Sequence, residues 1–213
     1  MRRFFALVLT LAALLGCFAP TVYGATSEKD GKIKDLKASA KMSYARSLAA
    51  FGEESFHGFC GKMVSLQLKY LGITKRQESN DGRDQFDYYA AKQKTSGGYY
   101  ITPYYATDYS LEEALNQISR YGTKDVYNIL VGFQWTNSEV GALYGHVVLI
   151  NGIIDGRVYF VEGFRLSLGR VWEEGAVINC SIRDFDRYYS RWAQYEGCIY
   201  FGAQEFSDSC VEH

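Results

Sequence analysis

HVVLINGIIDGRVYFVEG, residues 146–163, is a pair of β-branched and aromatic runs joined through Asp155-Gly156, and it predicts an antiparallel hairpin. Loop length decides which side chains share a face, because a strand alternates its side chains with a period of two. If Asp155 and Gly156 alone form the loop, Leu149 lies opposite Glu162 and the carboxylate points away from His146. If Ile154 joins them in a three-residue loop, with Gly156 as a left-handed bulge, Val148 lies opposite Glu162. Glu162 then shares the face of His146, one diagonal step away and within reach of a long side chain. A histidine opening a buried strand is otherwise a common structural residue.

Around this hairpin the chain is helix-rich early and strand-rich late. VYNILVGFQW (126–135) and CIYFG (198–202) have the same strand character as HVVLINGI and RVYFVEG. SIRDFDRYYSRW (181–192) predicts a short helix with Ile182, Phe185, Tyr188 and Tyr189 on one side. Ser110 and Glu113 form a capping-box pattern that opens a helix over 111–121. Residues 32–51 predict a helix that buries Leu36, Ala40, Ser43, Ser47 and Ala50 and ends at Gly52. Residues 74–98 are polar and glycine-punctuated, a surface connection with one helical turn around 86–92. The expected fold class is α+β, with a central helix packed on an antiparallel sheet.

That central helix starts at Cys60. At about 100° per residue, Lys62, Ser65 and Lys69 form a narrow polar stripe, while Cys60, Val64, Leu68 and Leu71 lie opposite. Cys60 therefore faces inward at a helix N-terminus, where the dipole and the unpaired first-turn N–H groups favour a thiolate. Three readings of it stand side by side: nucleophile, half of a disulfide, or small core residue. Of the three histidines, His57 lies one turn ahead of Cys60, His146 is on the sheet and His213 is terminal.

A Cys-Gly pair opening a helix, a later Gly-His leading an apolar strand, an Asp-Gly turn and an acid ending the return strand together resemble the papain-like cysteine peptidases and amidases. Within that group the layout HVVLINGIIDGRVYFVEG is most similar to the bacterial double-glycine leader peptidases. The resemblance spans residues 60–162 and implies a papain-like fold, with Cys60 as nucleophile, His146 as base and then acid, and Glu162 orienting the imidazole. It implies a peptide or protein substrate, with cell-wall peptide among the candidates, and no cofactor. His57 or Gln134 would complete the oxyanion site with the Cys60 backbone N–H. The family usually has a glutamine ahead of its cysteine, where this chain carries Glu53, Glu54 and Ser55. Its orienting residue is commonly Asp or Asn.

The chain opens with Arg2 and Arg3, an apolar run from Phe4 to Gly16, Pro20 and small residues up to Gly24, the layout of a secretory signal peptide. The expected organisation is a signal peptide over 1–24, a helical segment over 25–52, the hydrolase domain over 53–205 and a polar tail over 206–213, in a secreted or extracytoplasmic protein. Cys17 in LLGC offers a lipoprotein alternative. Cleavage would remove two arginines from 23 basic against 24 acidic residues and leave a net charge of about −3, which disfavours nucleic-acid binding. No transmembrane anchor follows. The 47% apolar and 16% aromatic content exceeds what a disordered chain carries.

Cys60, Cys180, Cys198 and Cys210 would remain after cleavage, and an even count outside the cell invites two disulfides. That supports a second reading, a non-catalytic secreted binding module with disulfide-bonded cysteines. A metal site from His57, Cys60 and His146 is a third, without any familiar ligand spacing behind it. The tyrosines of GGYYITPYYATDYS (97–110) suit either a substrate groove or an ordinary packed surface.

Overall fold

The computed structural model describes backbone and side chains for residues 27–56, 58–73, 104–133, 146–163 and 175–189. It describes backbone alone for residues 2–26, 101–103, 134–136, 143–145, 190–196 and 199–206. The chain divides into two compact units, Met1–Leu36 and Lys37–His213. The first is helical and carries an exposed i,i+4 ion pair, Lys32 Nζ to Glu28 Oε1 at 3.3 Å, an arrangement that contributes only a few tenths of a kcal/mol. Among the described residues no helix is long and apolar enough to cross a membrane.

In chain order the elements are α1 (Arg2–Phe51), α2 (Cys60–Tyr70), β1 (Ile101–Tyr105), α3 (Leu111–Ile118) and β2 (Val126–Thr136). They continue with β3 (Leu143–Ile154), β4 (Arg157–Val161), β5 (Val177–Ser181), α4 (Ile182–Glu196) and β6 (Ile199–Phe206). The six strands form one antiparallel sheet in the order β1-β6-β2-β3-β4-β5. The fold is α+β, with the Cys60 helix packed against the strand that carries His146.

Strand alternation explains why the central strands are apolar at nearly every position. Ile129, Val131, Phe133, Val148, Ile150 and Phe160 face a core closed by α3 and α4. Leu130, Val147, Leu149 and Val161 face the opposite core, closed by α2 and the last turns of α1. Each fully buried side chain of this size contributes about 1.5–3 kcal/mol, and a sheet covered on both faces has no solvent side to mark with polar residues.

The helices follow from the same rule. α3 starts at the expected capping box: Ser110 Oγ accepts from the Glu113 N–H at 3.2 Å, and the Ser110 N–H donates to Glu113 Oε2 at 2.8 Å. It stops at Ile118 rather than Tyr121, because Arg120 and Tyr121 take positive φ of 47° and 55°. α4 buries Ile182, Phe185, Tyr188 and Tyr189 as expected. α1 ends before Gly52 and buries Ala40, Ser43, Tyr44 and Ser47, but Ala50 is exposed; the 3.6-residue period carries the inner stripe on to Phe51 instead. The buried hydroxyls are satisfied within the helix, Ser43 Oγ donating to the Ala40 carbonyl at 2.9 Å and Ser47 Oγ to the Ser43 carbonyl at 2.7 Å. Residues 74–98 lie outside the described residues.

α2 is buried more completely than its stripe predicts. Ser65 lies inside, and so does Gln67, whose amide oxygen and nitrogen both lack a hydrogen-bond partner among the described residues. A buried amide without partners opposes folding by about 1–3 kcal/mol, which the surrounding apolar burial outweighs. Gln67→Leu, close in volume, is therefore expected to raise the unfolding free energy by about 1 kcal/mol in urea titrations. A loss of stability would show that the amide is paired after all.

Candidate active site

Hairpin β3–β4 sets the carboxylate beside the histidine by a route that neither expected register describes. Ile154 pairs with Arg157, so the loop has two residues, and both take positive φ, 52° at Asp155 and 67° at Gly156. That is the turn whose twist matches a hairpin, and Gly is suited to its second position. A uniform register from such a loop would turn Glu162 away from His146. The ladder instead shifts between Ile150 and Gly152, leaving Asn151 as an extra residue, and beyond it Ile150 pairs with Phe160. Continued upward, this register puts Val148 across from Glu162. The expected bulge exists, but inside β3 rather than in the turn, and the facial pairing is recovered.

His146 Nε2 lies 3.5 Å from Glu162 Oε1, with His146 at 2% exposure and Glu162 at 0%. The other partner of the imidazole is Cys60, whose sulfur hydrogen-bonds to it. Cys60 retains 9% exposure, the most of the three, so the group that could meet a substrate is also the one nearest to solvent.

Electrostatics favour a proton on this imidazole. Burial alone pushes His146 below its ordinary value of 6.5. The negative charge of Cys60 and its hydrogen bond, followed by the hydrogen bond and charge of Glu162, outweigh burial and raise it to about 10. Cys60 itself opens α2, which has no side-chain cap at Phe59 and no acid in its first turn, so the positive end of the helix dipole acts on the sulfur unopposed.

Three contacts not foreseen in the sequence hold this arrangement. Gly163, next to Glu162, packs so closely on the α2 region that a Cβ there would run into Met63 Sδ and come within 2.9 Å of Phe56 Cβ. The backbone of Glu162 is held as well, its carbonyl accepting from the Gly175 N–H at 3.1 Å. On the other side of the carboxylate, the hydroxyl of Tyr189 from α4 donates to Glu162 Oε1. The hydrophobic pattern identifies Tyr189 as a core residue, but no spacing rule links it to a glutamate 27 positions away.

Of the other expected site residues, His57 lies outside the described residues. Gln134 sits in β2 across from Gly145 and Ile199, with its side chain outside them. Cys60 and Cys180 are thiols rather than halves of disulfides, so two complete disulfides among Cys60, Cys180, Cys198 and Cys210 are not formed. Cys198 and Cys210 lie outside the described residues. Residues 101–105 of the tyrosine-rich stretch form edge strand β1, paired with β6, and its Pro103 suits an edge. Among the described residues no group of three or more His, Cys, Asp or Glu side chains is placed to hold a metal ion.

Comparison with protein-family models, curated proteins and solved structures finds no match to this chain. The functional reading therefore rests on the site itself. A buried histidine–carboxylate pair with a cysteine against the imidazole has the geometry of a catalytic triad.

Proposed function

We propose that this chain is an exported thiol hydrolase, a papain-like cysteine peptidase or amidase, working through Cys60, His146 and Glu162. The observation that carries the reading is one contiguous line from sulfur to imidazole to carboxylate, drawn from α2, β3 and the end of β4. The proton rests on the imidazole of His146. Sγ attacks the carbonyl carbon of a peptide or amide bond, and the electron pair of the C=O moves onto oxygen. The Cys60 backbone N–H at the head of α2 offers a donor to that oxyanion. On collapse the C–N bond breaks, and the imidazolium gives its proton to the leaving amine. The neutral imidazole then takes a proton from water, whose oxygen attacks the thioester and releases the acid and the thiolate. Glu162 holds the ring in the tautomer and orientation that both steps need. The signal-peptide layout of residues 1–24 supports an exported location.

Incubation with an epoxysuccinyl or iodoacetamide probe tests the reading. A single adduct is expected at Cys60 in the native protein and none there in Cys60→Ala. Labelling that persists unchanged in Cys60→Ala would remove the assignment. The thiol state of Cys60 also weighs against the binding-module alternative in the form that needs every cysteine in a disulfide.

A further inference from the structure

A line of three groups ends at a carboxylate, and something must fix that carboxylate in turn. Glu162 is fully buried, and its Oε2 has no hydrogen-bond partner among the described residues. Its Oε1 faces His146 Nε2 and accepts from the Tyr189 hydroxyl. One oxygen therefore serves both the imidazole and the phenol, and the carboxylate cannot turn without breaking the tyrosine's bond.

Tyr189 is itself closely confined. Its ring stacks on Phe133 at 5.2 Å and 17°, lies 4.6 Å from Phe185 and meets Tyr188 edge-on at 5.2 Å. The imidazole of His146 lies nearly parallel to it, 6.4 Å away. Phe133 is directly across the β2–β3 ladder from His146. The rings thus form a wall from α4 to β3 that confines the tyrosine, with its hydroxyl on Glu162. Burial, then the charge of Glu162, keep Tyr189 protonated well above its ordinary range, so the hydroxyl remains a donor.

We propose that Tyr189 is a fourth member of the site, a positioning residue whose hydroxyl keeps Glu162 aimed at His146. The assignment rests on the Cys60–His146–Glu162 reading and adds to it the group that makes a fully buried carboxylate tolerable. A carboxylate out of water retains its charge only through donors. Here the donor is Tyr189 on α4, and His146 on β3 supplies the opposite charge 3.5 Å away. The other titratable groups facing them are Cys60 on α2, Tyr188 on α4 and Cys180 on β5.

Tyr189→Phe keeps the ring and removes only the donor. Without it Glu162 is no longer held toward the ring and supports the imidazolium less, so the proton affinity of His146 should fall about ten-fold, one pH unit. The readout is an NMR titration of the imidazole in the full chain, assigned against His146→Ala, with Glu162→Gln as the reference for complete loss of the carboxylate. The expected result is a shift in the same direction as Glu162→Gln and no larger. A midpoint that stays in place or rises, in a variant with the native circular dichroism spectrum, overturns the role of Tyr189. This titration needs no substrate. A protein in which Cys60 fails to label would sink the hydrolase reading, whereas an unmoved midpoint would sink only Tyr189.

Discussion

His146→Ala is expected to lower Cys60-dependent cleavage of a peptide anilide by about 10²–10⁴-fold, the range for loss of a positioned acid–base. Hydrolysis of a nitrophenyl ester should fall less. Nitrophenolate leaves without a proton, whereas an amine does not, so the difference between the two substrates isolates the acid function of the imidazole. The pH dependence follows from the same group. His146 is raised from 6.5 to about 10, first against the opposing effect of burial and then by Cys60 and Glu162. A raised value means that the proton is held below it and lost above it. The acid is therefore present through neutrality, and anilide cleavage should decline on the alkaline side with a midpoint near pH 10. The variant should show no such limb. A wild-type limb near 6.5 would mean that burial has won and that Cys60 and Glu162 do not act on the ring as their positions imply.

What could be read from the sequence, and what could not, follows from how far each signal reaches along the chain. α2, α4 and strands β2, β3 and β4 are legible because each buries a patterned face or is apolar throughout. Both edge strands escape: β1 carries a proline and an exposed Tyr105, and VINCS of β5 is half-buried and short. Short edges lack the apolar run that marks a strand covered on both faces. The hairpin is the informative case. Asp155-Gly156 names the turn, yet the face of Glu162 depends on a bulge at Asn151, and nothing local in LINGI announces it. A two-residue loop read alone gives the opposite chemistry. Cys60 and His146 could be paired because so few bases compete for the role. Tyr189 and Gly163 could not, since their partners are set by the packing of α4 and α2 against the sheet.

Gly163→Ala should damage the site without touching any of its reacting groups. The new Cβ would collide with Met63 Sδ, at the far end of a flexible side chain that can turn aside. It would also come within 2.9 Å of Phe56 Cβ, and that atom moves only with its backbone. Phe56 is fully buried, stacked on Phe51 at 4.8 Å and edge-on to Tyr44 at 5.8 Å, so it has no room to retreat. Its carbonyl accepts from the Phe59 N–H at 2.9 Å in the turn that leads into Cys60. Relief therefore has to come from the loop and the head of α2 shifting away from Glu162. Overpacking of this kind lowers stability by about 1–3 kcal/mol, readable in a denaturant titration. A displacement near 1 Å between sulfur and imidazole lowers turnover by about 10²-fold. The variant should be folded at room temperature, with Cys60 still present as a thiol, and yet turn over anilide at about one per cent of the wild-type rate. Should it keep full activity, the close approach at Gly163 would not be what seats the sulfur against the imidazole, and the head of α2 would have to be held from the α1 side alone.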